Sequence, residues 1–365
     1  MRNTSELGES FFDEEAREAL PHYYGVLRGS HLPRYRLACS FPVRFGPEEP
    51  LEALLEVHRA TAPAFWSYVL ESERKGGWPQ PQRLDRSYLS LKAAIAWKIL
   101  ERCTLCEWRC GVDRRQKAGF CRLPDSFRVS SFFLHFGEEP PLVGSCGSGT
   151  VFFTGCNFRC VFCQNYDISQ DPLNGVEVSP ERLAGILKAL SRERCLNFNF
   201  VGGEPTPSLP VILSSLLLLE EDVPFLWNSN MYMSEEGMEL LRDIVDIWLP
   251  DFKYGNDACA QRLSSPRNYF SVVSRNHLVA RSYGDMIVRV LLLPGHWACC
   301  GEPILEWIGA NLPNVLVNIM GQYRPEYLVL RNERYLPLRR RISKAEMEEA
   351  FRRADELGLK YRCVL

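Results

Sequence analysis

The 365-residue chain has no long apolar run: its most hydrophobic stretch, residues 211–219, is broken by Ser214 and Ser215 and falls well short of the roughly 18 residues a membrane-crossing helix needs. It has no excess of charge, since 43 Lys and Arg stand against 45 Asp and Glu, so no global field attracts a polyanion such as nucleic acid. Residues 1–20 are acidic and polar and lack the apolar core and small-residue cleavage site of a secretory signal. No internal repeat is visible. These absences lead to the expectation of a cytoplasmic chain with neither a membrane nor a nucleic-acid partner. Apolar and aromatic residues are plentiful, with 8 Trp, 20 Phe and 14 Tyr, which excludes wholesale disorder. The length suits two or three domains of about 150 residues.

Cysteine is the other surplus. Fourteen thiols in a reducing compartment are no disulfide framework, so their clustering points to metal or redox chemistry. Cys103, Cys106, Cys110 and Cys121 form a Cys-x2-Cys-x3-Cys-x10-Cys knuckle with Gly111 and Gly119 beside the thiols. Four thiolates can close a site by themselves, either as structural zinc or as an iron–sulfur cluster. Arg102, Arg109, Arg114, Arg115 and Lys117 surround them and would offset their negative charge.

Four regions follow from the texture of the chain. Residues 1–82 are an extension of no evident role with a helical stretch at 51–70, ending in a turn at 75–82 that carries Gly76, Gly77, Pro79 and Pro81. Residues 83–148 hold an amphipathic run at 87–100 and the knuckle. From residue 149 to 320, β-rich runs at 150–154, 196–201, 225–228, 245–249, 286–293 and 315–319 alternate with helical patterns such as 180–190. Such alternation predicts an α/β fold with a parallel sheet. Six strands are too few for a closed eight-stranded barrel, so a partial (β/α)6 barrel is expected. Residues 321–365 form a C-terminal extension with a helix capped by Ser343 and Glu346 and stopped at Gly358.

Directly after the first strand of the alternating region stands Cys156-x3-Cys160-x2-Cys163. Three thiolates on one loop can hold three irons of a [4Fe–4S] cube and leave the fourth open. Zinc, the competitor, takes paired knuckles adding to four ligands, and this triplet has no evident fourth. Gly202-Gly203-Glu204-Pro205 closes the next strand, where paired glycines would let backbone approach a ligand. Asp251 and Lys253 end a later strand two residues apart, so extended backbone turns both to one side. Asn228, Ser229 and Asn230 could bind a ligand or cap the next helix. Arg289 sits among Ile287, Val288, Val290 and Leu291 and therefore requires polar company, either a ligand or a buried ion pair. Vicinal Cys299 and Cys300 are expected on the same mouth as the cysteine triplet, where they either meet substrate or ligate something or, the reading preferred, are small buried hydrophobes; Cys39, Cys195, Cys259 and Cys363 read as isolated packing residues, and His135 and His296 as structural histidines. Cys146 is ambiguous.

The cysteine triplet, the Gly-Gly-Glu-Pro segment and the βα alternation together resemble the radical S-adenosylmethionine superfamily. The branch most similar is the one related to pyruvate formate-lyase activating enzyme, with residues 103–121 as its N-terminal cysteine knuckle. Matching phrases are Cys110-Gly111-Val112-Asp113-Arg114, Phe136-Gly137-Glu138-Glu139-Pro140, Cys163-Gln164-Asn165, Leu249-Pro250-Asp251-Phe252-Lys253-Tyr254 and Gln322-Tyr323-Arg324-Pro325. The resemblance covers about three-quarters of the chain, from Ser87 onward. It implies a [4Fe–4S] cluster on Cys156, Cys160 and Cys163, and S-adenosylmethionine contacted by Phe162, Gly202, Gly203, Glu204, Ser229, Asp251, Lys253 and Arg289. It implies reductive cleavage to a 5′-deoxyadenosyl radical that abstracts hydrogen, with an electron donor such as flavodoxin or ferredoxin. The nearest substrate by resemblance is a glycyl-radical enzyme. Another protein or a small molecule is an equal alternative, and a non-catalytic zinc-binding module is a more remote one.

Overall fold

A computed structural model describes residues 13–46, 48–75 and 81–365. Gly76, Gly77 and Pro79 of the expected turn, and residues 1–12 of the acidic start, lie outside the described residues. The strands are β1 (Arg128–His135), β2 (Ser148–Phe153), β3 (Val176–Glu177), β4 (Phe198–Gly202), β5 (Phe225–Ser229), β6 (Ile247–Pro250), β7 (Asp285–Leu291) and β8 (Leu316–Met320). They form one sheet in the order β3-β1-β2-β4-β5-β6-β7-β8. From β2 to β8 every neighbouring pair is parallel, so the six expected strands are the partial barrel, and the sheet is not closed. Among the described residues no helix is long and apolar enough to cross a membrane.

The sheet holds two strands that the periodicity did not announce. β1 pairs antiparallel with β2 and β3 antiparallel with β1, covering one edge of the barrel. β1 carries Phe132 and Phe133 side by side, 46% and 43% exposed, so it lacks the alternation of a half-buried strand. The other edge is covered near Leu316, where Val317 N–H donates to Lys360 O at 2.8 Å.

Inward positions along the parallel strands, two residues apart, change from apolar to polar. Leu226, Ile247, Leu249, Ile287 and Leu316 make an apolar floor; Asn228, Asp251, Arg289 and Asn318, further along the same strands, line a cavity above it. Outward positions such as Trp227, Trp248, Val288 and Val317 join the main core. The helices Glu14–Ala19 and Pro21–Arg28 supply Ala16, Tyr23, Tyr24 and Leu27 to the floor, and Leu20 between them joins it. Tyr23 N–H donates to Asp285 Oδ2 at 2.7 Å, Asn197 Nδ2 donates to Tyr23 Oη at 2.9 Å, and His22 Nε2 lies 2.7 Å from Asp246 Oδ1. Part of the N-terminal extension therefore seals the lower end of the open barrel.

The helix expected over 51–70 continues to Lys75 as Leu51–Lys75, and that expected over 87–100 is Tyr88–Ile99, with Ser87 and Ser90 forming its capping box. Helix Lys344–Glu356 begins in the expected box of Ser343 and Glu346, and Gly358 follows it at φ +66°, a left-handed conformation that glycine adopts without a Cβ penalty.

Candidate active site

One cavity of about 610 Å³ lies at the C-terminal ends of the parallel strands, within the size of small-molecule sites of roughly 300–1,000 Å³. Cys156, Cys160, Cys163, Phe162, Gly202, Gly203, Glu204, Ser229, Asp251, Lys253 and Arg289 all line it. Tertiary structure brings these sequence-selected residues together from five separate strand ends. Among the described residues its lining contains no fourth cysteine.

The three thiols are buried to different degrees, Cys163 least. Each has its own polar neighbour. Phe158 N–H donates to Cys156 Sγ at 3.3 Å, Ser264 Oγ–H donates to Cys160 Sγ at 2.9 Å, and Ser169 Oγ lies 3.2 Å from Cys163 Sγ. Burial, followed by the charge of neighbouring thiols, pushes Cys156 well above its ordinary value and Cys160 up to about 12. Burial raises Cys163 as well. Three such groups are thiolates together only around a positive centre, which the donors then help to stabilise. The donor set fits three corners of a [4Fe–4S] cluster.

The glycine pair, which lines the cavity, also makes room for neighbouring backbone. Gly202 has φ +123°, and a Cβ there would lie 2.2 Å from Phe153 O; a Cβ on Gly203 would lie 2.0 Å from Gly155 O. Gly203 N–H donates to Phe153 O at 2.8 Å and Glu204 N–H to Gly155 O at 3.0 Å. The segment thus clamps the start of the cysteine loop. Glu204 is buried, and both carboxylate oxygens have protein donors: Thr206 N–H at 3.2 Å and Ser229 Oγ–H at 2.7 Å on Oε1, and Asn230 N–H at 2.9 Å on Oε2. Desolvation raises its pKa, and these donors oppose the rise. Asn230 Nδ2 donates to Asn157 Oδ1 at 2.7 Å. The next helix, Glu235–Leu241, is capped by Ser234, so Asn228, Ser229 and Asn230 do not cap it.

A charged cluster shares the cavity with the thiols. Arg289 Nε donates to Asp251 Oδ1 at 2.9 Å, its Nη2 meets Asn228 Oδ1, and its Nη1 is 3.5 Å from Glu138 Oε2. Lys253 pairs with the other oxygen of Asp251. Burial would raise the Asp251 carboxyl, but Arg289 and Lys253 outweigh it and hold it below the ordinary carboxylate value. Burial likewise opposes the Arg289 charge, and Asp251, Glu139 and Glu138 restore it. Phe162 packs edge-on to Tyr323, ring centroids 5.9 Å apart.

Glu138 and Glu139 also line the cavity, and sequence reasoning did not select them. Their signal was present in the phrase Phe136-Gly137-Glu138-Glu139-Pro140. Asn199 Nδ2 donates to Glu138 Oε1 at 3.1 Å, and His135, expected to be structural, lies 3.6 Å from the same oxygen. Glu139 accepts from Asn318 Nδ2 at 2.8 Å on Oε1, while its buried Oε2 has no hydrogen-bond partner among the described residues. Desolvation pushes Glu139 up to about 7, against the pull of Arg289.

The knuckle packs behind the cysteine loop rather than into the cavity. Trp108 Nε1 donates to Asn157 O at 2.7 Å, and Trp108 stacks on Phe120 at 3.7 Å between centroids. Its thiols sense one another: a hydrogen bond with Cys110 raises Cys103 and lowers Cys110, and burial, then Cys121, pushes Cys106 up to about 12. The surrounding cations, expected to offset the thiols, are largely engaged elsewhere. Arg109 pairs with Glu236 at 2.9 Å and Arg115 with Asp113 at 2.8 Å, while buried Arg114 donates to the carbonyls of Leu123, Pro124 and Pro207. Cys259, expected to stand alone, instead faces His296, Cys299 and Cys300.

Residues 150–308 match the family model described as the Radical SAM superfamily. The chain is 46% identical over 277 residues to Uncharacterized protein MJ0674 of Methanocaldococcus jannaschii, covering 74% of this chain and 79% of that protein. It is 26% identical over 157 residues to Uncharacterized protein MJ0808 of the same organism, covering 38% and 46% of the two. Among solved structures, Streptococcus suis SuiB bound to precursor peptide SuiA is similar over 56% of this chain and 46% of that one, with 12% identity and a TM-score of 0.42. The matched region spans less than half the length of MJ0808 and of SuiB.

Proposed function

We propose how this chain's own residues serve the chemistry of the Radical SAM superfamily domain matched at residues 150–308, a family whose cofactors are a [4Fe–4S] cluster and S-adenosylmethionine. Cys156, Cys160 and Cys163 hold the cluster, and the remaining lining of the cavity holds S-adenosylmethionine. When bound, these cofactors supply one-electron cleavage to methionine and a 5′-deoxyadenosyl radical, which abstracts hydrogen from a substrate. The observation that carries this reading is the convergence of the three thiols, the Gly-Gly-Glu loop and the Asp251, Lys253 and Arg289 cluster on one cavity.

The protein's contribution is placement. Backbone at Gly203 and Glu204 shapes the wall beside the thiols, while Glu204 fixes Ser229 and Asn230 against that wall. Asp251, Lys253 and Arg289 present both signs of charge to a zwitterionic amino acid moiety, and Asp251 is kept ionised by its two cations. Phe162 offers an aromatic wall for adenine. The apolar floor keeps water from below, which protects a reactive intermediate. Cys103, Cys106, Cys110 and Cys121 form a second metal site, zinc or iron–sulfur.

For substrate, glycyl-radical activation is the reading to test first, and modification of another protein or a small molecule is its alternative. Protein purified without oxygen and reconstituted with iron and sulfide is expected to form 5′-deoxyadenosine when reduced with dithionite, whereas Cys160→Ala is expected to form none. Zinc without iron, and intact S-adenosylmethionine in the wild type, would sink the radical reading. A glycyl doublet in the paramagnetic resonance spectrum of a candidate partner supports the activase reading; hydrogen abstraction without one favours the alternative.

A further inference from the structure

Outside the cavity, four side chains from two distant segments converge. Cys259 belongs to the helix Asp257–Ser264, which follows β6, while His296, Cys299 and Cys300 belong to the turn after β7. Cys259 Sγ lies 3.5 Å from His296 Nδ1 and 3.9 Å from Cys299 Sγ. His296 Nδ1 is 3.4 Å from Cys299 Sγ and 4.0 Å from Cys300 Sγ, and the two vicinal sulfurs are 3.9 Å apart. All four donor atoms lie within 4.8 Å of one another.

These distances have a simple meaning. A tetrahedral ion with Zn–S of about 2.3 Å and Zn–N of about 2.0–2.1 Å separates its sulfurs by about 3.8 Å and sulfur from nitrogen by about 3.5 Å. Four of these five edges lie within about 0.2 Å of that tetrahedron, and the fifth, His296 Nδ1 to Cys300 Sγ at 4.0 Å, is the long one. A covalent disulfide needs sulfurs about 2.05 Å apart, whereas Cys299 Sγ is 3.9 Å from both Cys259 Sγ and Cys300 Sγ. A cubane spreads its thiolates further than a single ion does, because each sits on a different iron. Three thiolates and one imidazole are a common structural zinc set.

The chain also builds the surroundings that such a site requires. Residues Trp297–Gly301 form a π-helical turn, with Cys300 N–H and Gly301 N–H both donating to His296 O at 2.9 and 3.2 Å. Such turns are rare and recur at functional positions. Here the turn directs His296, Cys299 and Cys300 to one point. Gly255 allows the approach of the two segments: a Cβ there would lie 3.0 Å from Cys299 O and Cys300 Cα. Asn256 Nδ2 donates to Cys299 O at 2.7 Å and toward Cys300 Sγ at 3.8 Å. Gly295 N–H donates to Glu346 Oε1 at 3.0 Å, which anchors the residue preceding His296. The Arg262 guanidinium lies 3.4 Å from His296 Nε2 and sets a positive charge beside the thiolates.

We propose that Cys259, His296 Nδ1, Cys299 and Cys300 bind one zinc ion as a closed structural site. It clips the helix Asp257–Ser264 to the turn after β7. The far end of that helix carries Ser264, whose Oγ donates to Cys160 Sγ and whose carbonyl accepts from Arg159 N–H at 2.9 Å. The ion thus steadies a wall against which the Cys156–Cys163 loop rests. Its binding does not depend on the radical reading.

Zinc X-ray absorption on the full-length chain tests this, because no histidine lies in the cysteine knuckle or the cysteine loop. An imidazole in the zinc shell therefore reports this site alone. Expected are bound zinc with sulfur and imidazole neighbours in the wild type, loss of the imidazole signal in His296→Ala, and loss of one zinc per chain in Cys299→Ser with iron unchanged. Cys299 is exposed, which favours retention of the fold, and the wild-type spectrum decides the matter even if a variant does not fold. A zinc shell of sulfur alone, no zinc, iron at this site, or a disulfide among these cysteines in anaerobic protein would overturn the proposal.

Discussion

Two sets of cysteines flank the same helix, Asp257–Ser264, and differ in completeness. At its C-terminal end, Cys156, Cys160 and Cys163 line a cavity and are accompanied there by no fourth cysteine among the described residues. At its N-terminal end, Cys259, Cys299 and Cys300 meet His296 in a tight group of four. An incomplete donor set beside a cavity leaves a metal free to take a ligand, whereas a completed one excludes ligands and serves to hold the chain. The number of donors and the space around them, rather than the residue type, separate reactive from structural roles.

The strongest way to break the comparison is to remove one donor from each set. Cys160→Ala is expected to abolish 5′-deoxyadenosine formation to background and to remove the cluster iron while zinc stays, as read by metal analysis and product assay. Cys299→Ser is expected to do the reverse for metals, losing one zinc, and to lower the melting temperature on the order of 5 °C, as stabilisation by a bound ion is withdrawn. Simultaneous loss of iron and zinc in both variants would show one site rather than two.

The link between the sets is testable at Ser264. Its hydroxyl donates to Cys160 Sγ, and donors to cluster sulfurs favour the reduced, more negative state. Ser264→Ala is therefore expected to lower the cluster's reduction potential by tens of millivolts, on the order of 1 kcal/mol for one electron. A redox titration with unchanged potential would show that the bond has no electronic role.

The smallest effect is expected at a carboxyl group of the cavity lining. Glu139, raised to about 7 chiefly by burial, is neutral in the fold at pH values where the unfolded carboxyl is already ionised. Its stabilising contribution is complete below the ordinary glutamate value and is lost as the pH climbs through about 7. Denaturant titrations should show wild-type stability falling across that window, and Glu139→Gln should flatten the fall. An identical slope in the variant would contradict the shift.

The six parallel strands and the Cys156, Cys160 and Cys163 site were legible because each depends on short-range order. Buried strands announce themselves as β-rich runs between helical ones, and a loop with three cysteines at x3 and x2 spacing carries its donors within eight residues. β1 escaped notice because its consecutive exposed phenylalanines conceal its period. Glu138 and Glu139 stood inside a phrase already noticed, but nothing local told a cavity-lining carboxylate from a solvated one. The glycines of Gly202-Gly203 were visible, yet the backbone they make room for is that of Phe153 and Gly155, nearly fifty residues earlier.

By itself, then, the sequence determined the alternating βα chain, the cysteine triplet at a strand end and the polar residues placed two apart along inward strand faces, since covalent spacing and side-chain alternation act over a few residues. Only the tertiary structure decided that the helices Glu14–Ala19 and Pro21–Arg28 floor the barrel, that Arg289 bridges Asp251 and Glu138, and that Cys259 joins His296, Cys299 and Cys300. Those pairings are set by how packed elements approach one another, and Cys259 lies 37 positions from His296 along the chain, a separation across which residue spacing specifies no distance in space.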